Sequence, residues 1–397
     1  MITLTHKRLI DLDVKKKKVI VRVDFNVPLQ EGRVRDDTRI RAALPTLEYL
    51  LREQGSLIVL SHLGRPKGKI NDDLRLDPVA QRLSDLLGVE VLKSDQVWGP
   101  EVKKMVENLK PGQVCMPENT RFDPGEEENS PELAREWASL ADVFVSDAFG
   151  TLHRAHASNA GLARYLPSAA GLLVEKELEA LGSLRAENVD RPFAAILGGA
   201  KVSDKLGVIE ALLPRVDLMV LGGGMANTFL AAEGRDMGDS LVEESQIDKA
   251  RELLKKARES KTEIILPTDL VISPKIDASD EKSISEDAIT PGWKAVDIGQ
   301  KSIDAFREKL QAAGTIFWNG PLGVFEVDDF ARGTIEIARA LSEFSAWTVI
   351  GGGDSVAAVE AAGVADKMGH ICTGGGAALK YLEGKELPGL KALEVEE

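Results

Sequence analysis

Five times in the second half of the chain, an apolar run ends in glycine and a helical pattern follows. The stretches are "FAAILGGAKVSDKLG" (193–207), "DLMVLGGGMANTFL" (217–230), "TIFWNGPLGVFE" (315–326), "WTVIGGGDSVAAV" (347–359) and "HICTGGGAAL" (370–379). Each apolar run suits a strand buried on both faces, and glycine permits the tight turn into the next helix. In a parallel sheet all five turns would lie at one carboxyl edge, where doubly wound folds bind ligands. The unequal spacing excludes a solenoid repeat.

The first half has the same βαβ rhythm with fewer glycines. Strand-like runs at Lys18–Val27, Ser56–Ser61 and Glu90–Leu92 alternate with helical patterns at Thr38–Gln54 and Pro78–Leu87, and Val114–Met116 and Val143–Val145 read as short buried strands. The pattern "LLVEKELEALGSLRA" (172–186) is a helix between two α/β halves and is expected to connect them. At 397 residues and 43% hydrophobic content, the chain exceeds what one core usually absorbs, so two domains are expected. Residues 274–294 read as an exposed insertion or turn region.

Composition narrows the function classes. Residues 1–170 carry 25 Lys+Arg and 25 Asp+Glu, so the net charge of −14 lies wholly in the remainder. That balance opposes nucleic acid or an anionic membrane as the main partner. No apolar run reaches membrane-span length, and the N-terminus has no signal-peptide pattern. Cys115 and Cys372 stand far apart and fit a reducing cytosol, so a cytoplasmic location is expected. The basic run Lys15–Lys18 reads as a solvated turn.

The glycine clusters complete neither common nucleotide motif. Asn227 and Val356 stand where G-x-G-x-x-G needs its last glycine, and Gly64–Lys69 has the wrong spacing for a P-loop. A phosphate site of another build remains. Lys201 and Lys205, four apart after Gly198–Gly199, would share a helical face at a helix start, against the macrodipole unless an anion binds there. Asp354 follows Gly351–Gly353, and a carboxylate beside phosphates calls for a cation such as magnesium.

The first half places cations after its strands: Arg39, His62, Arg65, Arg121 and Arg154. Guanidinium forks suit phosphate and carboxylate, so these residues suggest a small polyanion. The strand "VRVDFNVP" (21–28) alternates Val21, Val23, Phe25 and Val27 with Arg22, Asp24 and Asn26. Asp24 and Asn26 would reach substrate hydroxyls, His62, His153 and His156 would add hydrogen bonds, and Arg22 is expected on a wet face, within reach of Asp24 or another acid.

Together, "RVDFNVP", "SHLGRP", "ENTRF", "DAFGTLHRAH", "LGGAKVSDK", "GGGMANTFL", "WNGPLGVFE", "GGGDSVAAV" and "TGGGAAL" followed by "LEGKELPG" resemble the phosphoglycerate kinases of bacterial type, in order from about Val19 to Gly389. The resemblance implies two doubly wound parallel-sheet α/β domains joined by a central helix and hinge. They would be residues 1–171, with a returning tail at about 387–397, and residues 172–386, with the connector at about 172–186. It implies 3-phosphoglycerate or 1,3-bisphosphoglycerate at Asp24, Asn26, Arg39, His62, Arg65, Arg121 and Arg154. It implies Mg-ADP or Mg-ATP at Lys201, Lys205, Gly222, Gly223, Gly224, Asn319, Glu326, Gly352, Gly353, Asp354 and Ser355. Here the Gly222–Gly224 run lies near the base, Glu326 at the ribose and Asp354 towards Mg2+. The expected reaction is reversible in-line phosphoryl transfer with hinge closure, with Arg39 and Lys201 as the catalytic pair, in a monomer. Ala378 and Lys380 depart from the serine and glutamate usual after GGGA. The alternatives are a two-lobed NAD-dependent dehydrogenase and a ligand-binding protein without chemistry.

Overall fold

The computed structural model describes residues 6–277 and 281–394. The chain forms two compact units: residues up to Glu179 with those from Glu386 onward, and Ala180–Lys385.

The first unit contains β1 (Lys18–Val23), β2 (Leu29–Gln30), β3 (Arg33–Val34), β4 (Ser56–Leu60), β5 (Val91–Lys93), β6 (Val114–Met116), β7 (Val143–Asp147) and β8 (Ser168–Ala170). Its helices are α1 (Thr38–Arg52), α2 (Asp77–Leu87), α3 (Pro100–Glu107), α4 (Pro124–Glu127) and α5 (Pro131–Ala138), and α6 (Leu172–Arg185) begins in it. Six strands form a sheet of order β5-β6-β4-β1-β7-β8, and every pairing is parallel. All residues of β4, β6 and β7 are buried, as a sheet covered on both faces requires. Val19, Val21 and Val23 pack with Ile40 and Leu47 of α1 and Val79 and Leu83 of α2 in one core. The β2–β3 pair is a small antiparallel hairpin. The C-terminal segment belongs to this unit, with Gly389 N donating to Leu152 O at 2.9 Å.

The second unit contains β9 (Phe193–Leu197), β10 (Leu218–Leu221), β11 (Glu263–Ile265), β12 (Leu270–Ser273), β13 (Ser283–Ser285), β14 (Lys294–Ile298), β15 (Thr315–Asn319), β16 (Trp347–Gly351) and β17 (His370–Ile371). Its helices are α7 (Leu206–Leu212), α8 (Gly223–Ala232), α9 (Ile247–Ser260), α10 (Gln300–Leu310), α11 (Arg332–Leu341), α12 (Gly353–Ala361) and α13 (Gly375–Leu382). The main sheet has order β11-β10-β9-β15-β16-β17, again with every pairing parallel. Chain order runs one way from β9 through β10 to β11 and the other way from β15 to β17. The topological switch point therefore lies between β9 and β15. The five glycine-bearing turns all leave the carboxyl ends of this sheet's strands. The core joins Ile196, Val220, Trp318 and Ile350 of the sheet to Phe306, Ile337 and Val359 of the helices.

The structure corrects three local expectations. First, the opening strand stops at Val23, so Asp24–Pro28 is not strand. Arg22 lies on no wet face: it is fully buried in the central strand β1. Second, residues 274–294 are not simply an exposed insertion. Ser283–Ser285 pairs antiparallel with β12, which also pairs with β14, and Ile289 is buried with Leu270 and Ile272. Residues 278–280, part of that expectation, lie outside the described residues. Third, the units part inside α6, between Glu179 and Ala180. A continuous helix leaves no loop in the sequence to mark such a boundary. Among the described residues, no helix is long and apolar enough to cross a membrane.

Candidate functional site

In the first unit the parallel sheet brings residues distant in sequence to one edge. Asp24 follows β1, His62 follows β4, Arg121 follows β6 and Arg154 follows β7. Arg39 comes from the first turn of α1 and donates from Nη1 to Asp24 Oδ1 at 3.1 Å. Asp24 Oδ1 also accepts from Asn26 N at 3.2 Å and lies 3.9 Å from His62 Nε2. Asn26 Oδ1 accepts from Gly64 N at 2.8 Å, and Gly64 O accepts from Arg121 Nη1 at the same distance. Asn26, Gly64 and Arg121 thus tie three strand-end loops together, with Arg65 exposed on the middle one. Arg154 is half-buried and its Nε lies 3.1 Å from His153 Nε2.

The charges are poorly compensated. Burial first, then the neighbouring Arg22 and Arg154, lowers the Arg121 guanidinium to about 10, although Glu127 stands 3.3 Å from its Nε. His62 is held well below the usual imidazole value by burial and then by Arg22, Arg121 and Arg39. His156 is lowered to about 4 by burial and then by Arg22 and Arg121. An anion among these groups would relieve the mutual repulsion. The sequence reading missed the support beneath them: Arg22, Glu126 and Ser158 are fully buried and linked, Ser158 Oγ donating to Glu126 Oε1 at 2.6 Å. The acids in "GEEE" gave no signal of which one turns inward.

In the second unit the switch point carries the other cluster. Gly198 follows β9 so close to the loop after β15 that a Cβ would fall on the carbonyl of Pro321. Lys201 and Lys205 do not share a helical face as expected, because α7 begins only at Leu206 and residues 200–205 form a turn. Lys201 is exposed, whereas Lys205 reaches inward and donates from Nζ to Asn319 O at 2.8 Å and to Asn319 Oδ1. Burial lowers the Lys205 ammonium to about 8, opposed by Asp354 and Asp204. Asn319 is buried and its Nδ2 has no hydrogen-bond partner among the described residues.

Around this point α8, α12 and α13 begin at Gly223, Gly353 and Gly375, directing helix N-termini to the same sheet edge. Gly352 precedes α12 at φ 91° and ψ 139°, a conformation essentially reserved for glycine. Ser355 turns inward, its Oγ accepting from Gly320 N at 2.6 Å, while Asp354 is exposed in the first turn of α12. A cavity of about 560 Å³ opens here, lined by Gly223, Gly224, Asn227, Leu241, the Pro321–Val324 loop, Glu326 and Asp354. Gly222 lies behind it, against Leu322. Ala378, at the departure noted above, is buried and Lys380 is exposed, so the alanine leaves no polar atom to satisfy.

Among the described residues, Asp77, Asp95 and Glu118 also come within metal-ligand reach of one another. Glu118 is already taken there, accepting from Leu76 N, Asn119 N, Arg75 and Lys93.

A profile of the phosphoglycerate kinase family matches residues 9–385. Phosphoglycerate kinases of Moorella thermoacetica and Pelotomaculum thermopropionicum are 55% and 53% identical over 384 and 391 residues. These matches cover 96% and 98% of this chain and 98% and 99% of the relatives. The solved phosphoglycerate kinase of Coxiella burnetii matches with a TM-score of 0.87 at 39% identity, over 98% of both chains. These relatives support neither an NAD-dependent dehydrogenase nor a binding protein without chemistry. On this agreement of sequence and fold, the chain is an enzyme and belongs to the phosphoglycerate kinase family.

Proposed function

We propose that the chain catalyses reversible transfer of a phosphoryl group from 1,3-bisphosphoglycerate to Mg-ADP, giving 3-phosphoglycerate and ATP. Its family makes it a glycolytic kinase that uses ATP or ADP with a small-molecule substrate. The observation that carries the finer reading is one sheet edge that holds Arg39 and His62 beside Asp24, Arg121 joined through Gly64 to Asn26, and Arg154 on the loop after β7. Cations suit the triose's phosphate and carboxylate, and Asp24 and Asn26 suit its hydroxyl. The nucleotide is assigned to the switch-point cavity. Gly222–Gly224 lies toward the base, Glu326 toward the ribose, and Lys201, Lys205, Asn319 and Gly352–Ser355 toward the phosphates.

The residues present fit magnesium. Asp354 is an exposed carboxylate beside the proposed phosphate loop, and Mg2+ usually takes one or two carboxylates plus substrate phosphates. When bound, the ion would neutralise charge on the phosphates. The protein's own part is alignment and charge stabilisation, since a loose phosphoryl transition state needs little covalent help. Arg39 and Lys201 would stabilise the transferring group. The attacking and leaving oxygens belong to phosphate and carboxylate, so no side-chain nucleophile or strong base is required. Because one substrate is assigned to each unit, direct transfer requires a closed state that excludes water.

Coupled detection of ATP formed from 1,3-bisphosphoglycerate and Mg-ADP tests the reaction; no ATP from folded protein would overturn it. Small-angle scattering tests closure. Compaction with both substrates is expected, and an unchanged profile would remove hinge closure from the mechanism.

A further inference from the structure

Arg22 stands in the middle of the first sheet, with Leu60 of β4 and Ser146 of β7 opposite it in register. A cation so placed is costly unless its donors are met. All three guanidinium nitrogens find partners: Nε donates to Ser158 Oγ at 2.6 Å, Nη1 to Val23 O, and Nη2 reaches His62 Nδ1 at 3.1 Å. The counter-charge is Glu126, whose Oε1 lies 3.8 Å from Nη2. Glu126 is itself held by Ser158 N at 2.9 Å, Ser158 Oγ at 2.6 Å and Thr120 Oγ1 at 3.2 Å.

A guanidinium can only donate hydrogen bonds. His62 Nδ1 must therefore accept from Arg22, which leaves the imidazole proton on Nε2. That nitrogen faces Asp24, 3.9 Å away, at the sheet edge where the cations converge. The groups facing His62 are Arg22, Arg39, Arg121, His156 and Asp24, and four of these five are cationic or basic. We propose that Arg22 is a positioning residue: held by Ser158 and Glu126, it keeps His62 a neutral imidazole with Nε2–H presented beside Asp24 as a fixed donor to an oxygen of the triose substrate. Only the last clause, naming the ligand, rests on the function proposed above.

The test is the nitrogen-15 side-chain spectrum of His62 in the ligand-free protein between about pH 5 and 8. The expected result is Nε2 protonated and Nδ1 bare throughout. A proton on Nδ1, or titration within that range, would overturn the proposal whatever the enzyme's activity. Removing Arg22 alone would strand Glu126, so the informative variant is Arg22→Met with Glu126→Gln, which deletes both charges. In it His62 is expected to lose its single tautomer, and KM for 3-phosphoglycerate to rise about tenfold, as for one lost hydrogen bond. KM for ATP, assigned to the other unit, should not move. Arg22→Lys restores a donor and is expected to recover the parent tautomer. If the double variant keeps both the parent tautomer and the parent KM, Arg22 does not position His62. Absence of ATP formation with the parent tautomer intact would instead remove the assigned reaction and leave the Arg22–His62 relationship standing.

Discussion

Lys205 donates to the main-chain carbonyl of Asn319 at 2.8 Å, although 114 residues separate the two. Lys205 lies beyond β9 and Asn319 is the last residue of the neighbouring β15, where the sheet's chain order reverses. The contact holds an ammonium inside the switch-point crevice without neutralising it. Beside it, Asn319 Nδ2, without a partner among the described residues, is a buried donor that a ligand oxygen can satisfy.

The first prediction concerns pH. Burial lowers Lys205 to about 8, so its charge is largely present at neutral pH and lost as pH rises through that value. KM for ADP is expected to climb above that point. Lys205→Arg, which stays charged, should flatten the rise. An ADP titration series across this pH range reads both.

A second prediction addresses the groups assigned to the transferring phosphoryl. Arg39→Ala and Lys201→Ala are each expected to lower kcat by about 10³ or more, by comparison with arginine-finger losses. Near-parent kcat in either variant, with an unchanged circular dichroism spectrum, would remove that residue from the chemistry.

Asp354 offers a third. Asp354→Asn keeps the shape at the start of α12 but removes the charge that suits magnesium. The concentration of Mg2+ needed for half-maximal rate should rise at least about tenfold, as for a lost charged interaction. Metal titration at saturating nucleotide measures it, and an unchanged requirement would place the ion elsewhere.

The fourth concerns stability. Asp147 is fully buried where α6 begins, its Oδ1 accepting from Leu173 N at 3.0 Å and Val174 N at 3.3 Å. Burial pushes its carboxyl up to about 7. The unfolded chain releases this proton near 3.9, so between about pH 4 and 7 the folded state binds more protons. This group's contribution to stability therefore falls as pH rises through that window. Asp147→Asn keeps an acceptor for both N–H groups and removes the buried charge. Its urea midpoint is expected to exceed the parent's at pH 8 and to match it near pH 4. An Asn variant less stable than the parent at both pH values would show that the charge does no harm there.

The sequence alone was sufficient for the fold class, and its motifs named the residues now proposed as the sites. Apolar runs such as "FAAIL" and "TIFWN" have one good solution, a parallel strand covered on both faces, and the glycines after them mark the carboxyl edge. Arg39, Arg121, Lys205 and Asp354 stand out as candidates because cations and carboxylates just after strands or at helix starts are local patterns. The path taken by each side chain was not legible. Arg22 and Asp24 are two residues apart and look alike as polar interruptions, yet one is fully buried against Ser158 and the other stands at the site edge. Lys201 and Lys205 suggested a helical pair, but the turn before α7 sends one to solvent and the other to Asn319. Glu126 is distinguished from Glu127 and Glu128 only by the arrival of β1 and the Ser158 segment from elsewhere in the chain. Periodicity records which faces must be covered; which charge is satisfied by which distant partner depends on strand order and register, and these exist only in the folded sheet.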